Sequence, residues 1–283
     1  MSNEEQVEYW NGEAGKRWAK EDATMARLLQ PVCEALLDHA GVEGCRKALD
    51  VGCGGGSQSL LLAQRLGAGA SVLGIDISGP MLEVAADKIA RTDDSTASLG
   101  FLQADAADHP FEAGSFDLLF SRFGVMFFDD PEGAFSNLRR ALSDDGRVAF
   151  SCWQPLAAND WTRIPLQAAL QYVELPAPPD PNAPGPFAFA NPDRVRQILG
   201  DAGFANINIE SHNREIRFGE APTLGESVRQ LAEIGPVGRL LMDQDQDTKE
   251  KVFSAMEVVL APYYRDGALL MSGAIWFVTA EVA

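Results

Sequence analysis

The run Leu49-Asp50-Val51-Gly52-Cys53-Gly54-Gly55-Gly56 constrains this chain more than any other feature. Lys47 to Gly52 is a short, mostly apolar stretch that ends in a glycine cluster, as a buried strand and its turn do. A helical pattern follows from Gln58 to Leu66 and closes at Gly67. Glycine tolerates positive φ and lets the backbone approach a ligand with no Cβ in the way. The free N–H groups at the start of the following helix favour polar or anionic groups.

The alternation continues along the chain. Strands are expected at Ser71–Asp76, Ser98–Gln103, Ser115–Phe120 and Arg147–Trp153, and helices at Pro80–Ala90, with Ser78 as cap, and Pro131–Leu142. Ser143-Asp144-Asp145-Gly146 reads as a turn. Residues 4–40 read as helical, with Pro31 in the first turn of a second helix. Beyond Trp153 the rhythm breaks into a short helix and a Pro-rich loop, Leu175 to Pro186. It resumes with a helix from Pro192 to Asp201, a strand at Ile207–Glu210, two helices within 222–262 and a last strand at Ile275–Ala280. The expected fold is α/β: a doubly wound, mostly parallel seven-stranded sheet with N-terminal helices and a helical insertion before the last strand. The expected divisions are a helical cap over 1–45, a ligand-binding α/β core over 46–154, a lid or substrate insertion over 155–190 and completion of the sheet over 191–283.

Acidic residues mark the strand ends. Asp50 precedes the glycine turn, Asp76 ends the second strand, and Asp105 follows the third. In an open parallel sheet, ligands lie across the carboxyl ends of the strands. Asp76, 20 residues beyond Gly56, is placed to accept both hydroxyls of a ribose. A dinucleotide fingerprint G-x-G-x-x-G would want glycine where Ser57 stands. Asp50 suits an amino-acid ammonium, which an adenosyl amino acid has and a nicotinamide dinucleotide lacks.

A formal net charge of −18 argues against nucleic-acid partners, whose affinity comes largely from Lys and Arg. Cys33, Cys45, Cys53 and Cys152 form no C-x-x-C pair and no metal cluster with the three histidines, so no metal is expected. No apolar stretch reaches the roughly 18 residues of a membrane span, and Met1 to Val7 is polar and acidic, unlike a signal peptide. A cytoplasmic protein without stable membrane insertion is expected.

These pieces, with Gly74-Ile75-Asp76-Ile77-Ser78, Gln103-Ala104-Asp105-Ala106 and Ser115 through Arg122, resemble a class I S-adenosylmethionine (SAM)-dependent methyltransferase. The similarity is to the broad group that includes ubiquinone/menaquinone C-methyltransferases. Leu138–Leu142 through Arg147 resembles that family's helix and turn before the fifth strand, and Tyr9-Trp10-Asn11-Gly12 with Arg17-Trp18 the start of a subgroup. The resemblance covers about 9–153 and 187–210, and the large insertion before the last strand departs from the quinone group.

The resemblance implies SAM as cofactor and S-adenosylhomocysteine (SAH) as product. Gly52, Gly54 and Gly56 would shape the loop under the methionine part, and Asp50 would lie near its amino group. Asp76 would hold the ribose, and Ile77 and Met81 would wall the adenine. Asp105 and Ala106 would contact the adenine edge, and the Ser121 carbonyl would face the methionine ammonium. Trp18 joins this cofactor set, closing over the site from the N-terminal helix.

The donor arrives activated, so no catalytic triad is needed, and none is visible. His109 is the candidate base by position. The acceptor, a small molecule of apolar, aromatic or lipid-like character, is expected near Tyr9, Arg122, Phe123, Phe127, Trp153 and Tyr172, with Arg122 pairing either with Asp129 or with an acceptor carboxylate. A non-catalytic SAM- or SAH-binding module and a nicotinamide-dependent oxidoreductase are the alternatives.

Overall fold

A computed structural model describes residues 4–174 and 180–283. The first part of the Pro-rich loop, 175–179, and the first three residues lie outside the described residues. The chain opens with α1 (Glu4–Asn11) and α2 (Glu13–Ala40). Alternation follows: β1 (Lys47–Val51), α3 (Ser57–Leu66), β2 (Ser71–Asp76), α4 (Gly79–Ile89), β3 (Ser98–Gln103), β4 (Phe116–Arg122), α5 (Pro131–Ala141) and β5 (Leu142–Trp153). Then come α6 (Asp160–Ala169), α7 (Pro192–Asp201), β6 (Phe204–Glu220), α8 (Leu224–Ile234), α9 (Pro236–Leu241), α10 (Gln246–Leu260), β7 (Tyr264–Arg265) and β8 (Ala268–Val282).

The strands lie in the order β3-β2-β1-β4-β5-β8-β6, with the two-residue β7 added on β8. The pairs β1–β2, β1–β4, β2–β3 and β4–β5 are parallel. The mostly parallel seven-stranded sheet is therefore present. The chain moves outward from β1 to β3 and then returns to place β4 on the other side of β1. That reversal is a topological switch point, and the crevice beyond the carboxyl ends of β1 and β4 is where such a sheet takes a ligand.

Two compact units are present, Met1–Cys152 with Asn182–Glu210 and Trp276–Ala283, and Trp153–Pro181 with Ser211–Ile275. In the first, Phe135 gathers Phe150, Phe189 and Phe204 at ring separations of 5.7, 6.2 and 6.3 Å. All four cysteines are buried. In the second, Trp161 stacks on Phe218 at 4.9 Å, and the fully buried Asn159 bonds to both the N–H and the C=O of Ala274.

Several local expectations change. Strand β5 begins at Leu142, so the expected turn Ser143–Gly146 lies within it, and β8 runs 15 residues from Ala268. Residues 13–40 form one helix with Pro31 inside it, not two helices. An interior proline costs about 3 kcal/mol, and the buried stripe Leu28, Leu29, Val32, Cys33, Leu36 and Leu37 outweighs it. Strand β6 runs 17 residues rather than four, because its alternation sets polar side chains such as Asn206, Asn208 and Glu210 on a solvated face, which masks the strand in the sequence. The segment expected as two helices holds three, since Gly235 and Pro236 stop α8 and start α9.

Candidate active site

The glycine turn is built from the backbone outward. Gly52, Gly54 and Gly56 adopt φ of 66, 54 and 77°, a region that disfavours any side chain. The N–H groups of Gly52 and Cys53 both donate to the Ile75 carbonyl, at 2.9 and 3.2 Å, fastening the turn to β2. A Cβ on Gly52 would lie 2.7 Å from the Gly124 Cα, so the loops that leave β1 and β4 abut at the switch point.

Asp50 departs from its expected role. It is fully buried and turns toward the start of α3, accepting hydrogen bonds from Gln58 Nε2 at 2.6 Å and Ser59 Oγ at 2.5 Å. Each oxygen accepts one bond from the protein and the side chain is fully enclosed, so Asp50 braces the start of α3, and its burial, unlike the partial exposure of Asp76, keeps it from the surface an ammonium group would reach. Burial pushes its carboxyl up to about 7, against the pull of Ser59 and Gln58.

Asp76 is half-buried and accepts from the Gly54 N–H at 2.8 Å and the Ser78 N–H at 2.9 Å, one bond to each oxygen. Each oxygen keeps a lone pair, which suits a vicinal diol. Burial raises this carboxyl above its ordinary value, and the backbone bonds oppose that. Ile77 is half-buried beside it, and Met81 faces the turn, its Cε 3.3 Å from where a Gly54 Cβ would be. On the next strand, Asp105 accepts from the Ala107 N–H at 2.9 Å through one oxygen, and the buried Ala106 offers its carbonyl to Asn137 at 3.2 Å. Ser121 Oγ donates to the Val51 carbonyl at 2.8 Å and accepts from the Gly124 N–H at 3.1 Å, so its side chain stitches β1 to the turn after β4. A glycine cradle with a diol acceptor one strand away and a further carboxylate on the strand beyond fits an adenosyl amino acid.

The aromatic residues gather above α1 and the turn after β4. Trp10 packs edge-on against Phe127 at 5.5 Å, Trp18 at 6.0 Å and Tyr9 at 5.3 Å. Phe123 takes φ of 64°, a strained value for a residue with a side chain, and its N–H donates to the Ser151 carbonyl at 3.1 Å. Arg122 is half-buried, and its Nε is buried with no hydrogen-bond partner. The expected pairing with Asp129 does not form; Asp129 is exposed beyond the 3-10 turn Val125–Phe127.

His109 turns away from this rim. Its ring packs on Phe111 at 4.6 Å, and Phe111 packs on Phe116, at the opposite end of β4 from Arg122. Trp153 and Tyr172 belong to the second unit, where Trp153 is buried against Trp161 at 5.1 Å and Tyr172 is exposed.

Two features of the site escaped the sequence. Asn11 accepts from the Gly79 N–H at 3.0 Å and donates to the Ile77 carbonyl at 2.9 Å, while Ser78 Oγ donates to the Trp10 carbonyl at 2.7 Å. These bonds pin the α1–α2 junction beside Asp76. Asp22 of α2 lies over Gly55 and pairs with Lys88 of α4 at 2.9 Å, with both side chains about nine-tenths buried. Asn11 lay within a segment the resemblance marked; nothing in the sequence joins Asp22 to Lys88, which stand 66 residues apart.

Residues 49–150 match the family described as a methyltransferase domain. The nocamycin O-methyltransferase of Saccharothrix syringae is 31% identical over 211 residues, covering 72% of this chain and 75% of that protein. The demethylmenaquinone methyltransferase of Staphylococcus aureus (strain JH9) is 37% identical over 191 residues, covering 62% of this chain and 75% of that protein. Among solved structures, the Haemonchus contortus phosphoethanolamine N-methyltransferase 2 in complex with S-adenosyl-L-methionine is similar in fold, with a TM-score of 0.53 at 21% identity. The likeness spans 89% of this chain and 53%, about half, of that one.

Proposed function

Because the chain belongs to the class I SAM-dependent methyltransferases, we propose that it transfers the methyl group to a small acceptor of apolar, aromatic or lipid-like character. SAM is the cofactor, and the nicotinamide alternative falls with that membership. The observation that carries the acceptor class is the aromatic wall of Tyr9, Trp10, Trp18 and Phe127 at the turn after β4. A net charge of −18 argues against nucleic-acid acceptors. The name of the nocamycin relative favours oxygen as the atom methylated. No helix among the described residues is long and apolar enough to cross a membrane, and we place the reaction in the cytoplasm.

When bound, SAM supplies a methyl group already activated on a sulfonium. The chain's residues are left to hold, orient and exclude water. We assign Gly52, Gly54 and Gly56 to the methionine part together with the Ser121 carbonyl, Asp76 to the ribose, Ile77 and Met81 to the adenine faces, and Asp105 with Ala106 to the adenine edge. Trp18, with Trp10, covers the rim, and Phe123 and Phe127 line the acceptor side.

Methyl-labelled SAM incubated with the protein and fractionated cell extract tests the acceptor class. The label should enter a small product that partitions into organic solvent, identified by mass spectrometry. Label found only in nucleic acid, protein or strongly polar metabolites would refute it.

A further inference from the structure

The carboxyl ends of β4 and β5 carry two polar groups that the fold leaves unanswered. Arg122 and Ser151 are register partners on these parallel strands. Strand neighbours lie about 4.8 Å apart, and partners in register project to the same face. Asp50 pairs with Phe120, two residues before Arg122, so Asp50, Arg122 and Ser151 share that face. Ser151 is fully buried and its hydroxyl has no hydrogen-bond partner; the Arg122 Nε is buried in the same condition.

The groups that bear electrostatically on Arg122 are Cys33, Asp50 and Asp22. None is a dedicated counter-ion. Asp22 is paired with Lys88 at 2.9 Å. Asp50 is held by Gln58 and Ser59, its carboxyl pushed up to about 7. Burial pushes the Cys33 thiol up to about 12, so it is neutral at pH 7. A largely desolvated cation with no anion is costly, and buried donors without acceptors call for an explanation in the native molecule.

We propose that Arg122, assisted by Ser151, is a seat for a carboxylate on the methyl acceptor, so that the substrate class is an apolar carboxylic acid. The inference rests on the methyltransferase reading and deepens it. Strand order sets it at one side of the cofactor, whose assigned residues Asp105, Asp76 and the glycine turn take the ends of β3, β2 and β1 and reach β4 only through the Ser121 carbonyl. The Arg122 side chain and the end of β5 are left for the acceptor. A guanidinium fork and a hydroxyl match the two oxygens of a carboxylate. A carboxylate oxygen then forms the O–C bond to the methyl while the C–S bonding pair passes to sulfur, giving a methyl ester and SAH. The positive sulfonium and negative carboxylate become two neutral groups at the reacting atoms, and no proton moves. That agrees with a rim from which His109 is turned away.

The test measures binding of octanoate and octan-1-ol, and of benzoate and benzyl alcohol, to the full chain loaded with SAH. The acid of at least one pair should bind tenfold or more tighter than its alcohol. Arg122→Gln should abolish that preference, Arg122→Lys should keep part of it, and Ser151→Ala should reduce it about threefold. SAH affinity should stay within threefold in each variant. No preference in the unaltered protein, or one that survives Arg122→Gln, overturns the proposal. So does a tenfold loss of SAH affinity with the acid preference intact, which would place the guanidinium on the cofactor's own carboxylate. Should Arg122→Gln fail to fold, an unchanged preference in both Arg122→Lys and Ser151→Ala overturns it equally. Failure of the unaltered protein to bind SAH would sink the underlying reading as well, and so is told apart from the other outcomes.

Discussion

The two halves of the sheet's carboxyl rim are finished differently. At β1 and β2, Asp50 and Asp76 each have both oxygens bonded to the protein, Asp50 to the first turn of α3 and Asp76 to the glycine turn and to the residue that caps α4. At β4 and β5, Arg122 and Ser151 carry buried polar atoms with no partner, and Phe123 holds a backbone angle that favours glycine. The first half is a cradle whose shape is complete without a ligand. The second keeps buried polar atoms with no partner among the described residues. Satisfied polar groups fix geometry; orphaned ones mark where binding energy is still to be gained.

The largest predicted effect tests whether the cradle is shaped by backbone alone. Gly52→Ala puts a Cβ 2.7 Å from the Gly124 Cα at a φ of 66°. Strain and overpacking together should cost roughly 3–5 kcal/mol, read as a lower urea midpoint, with SAM binding lost. Stability within about 1 kcal/mol of the parent would show that the loops can separate freely. Next comes Lys88→Met, which strands Asp22 over Gly55 and should cost about 3 kcal/mol of stability; a Tm unchanged from the parent would mean the pair is solvated in solution.

Asp76→Ala should weaken SAM binding at least tenfold, about 1.4 kcal/mol, measured by calorimetry. Unchanged affinity would leave Asp76 as a brace for Gly54 alone and make it like Asp50. The smallest effect concerns Asp50, whose carboxyl is pushed up to about 7 by burial, with Ser59, Gln58, Arg122 and Asp76 around it. A raised folded-state value means that the native state holds the proton more tightly than the unfolded chain. Stability from this group is therefore greatest below pH 4 and is lost as pH climbs through about 7. Between pH 5 and 8, the unaltered protein should lose stability relative to Asp50→Asn, read as a falling difference between their urea midpoints. Parallel stability curves for the two proteins would contradict it.

The cradle was legible in the sequence because its parts are local. The glycine spacing, the Ser78 cap and the acidic strand ends each speak within a few residues, and the structure has the glycine turn and the cap where they were expected. What stayed hidden depends on distant partners. Asp22 meets Lys88 across 66 positions, and Asp50, at a strand end that suits a ligand contact, is fully buried against Gln58 and Ser59. Pro31 signalled a helix start, yet the apolar stripe on either side carries the helix through it. Arg122 and Asp129 looked like a pair along the chain, and the intervening 3-10 turn sends Asp129 to solvent.

The cysteines give the molecule a clock of its own. Cys53 lies in the glycine turn and Cys152 in the buried strand β5, and burial raises both thiols far from reactivity. A thiol reagent can reach either one only when its segment opens, so the two labelling rates time cradle opening and core opening separately, with no probe added to the chain.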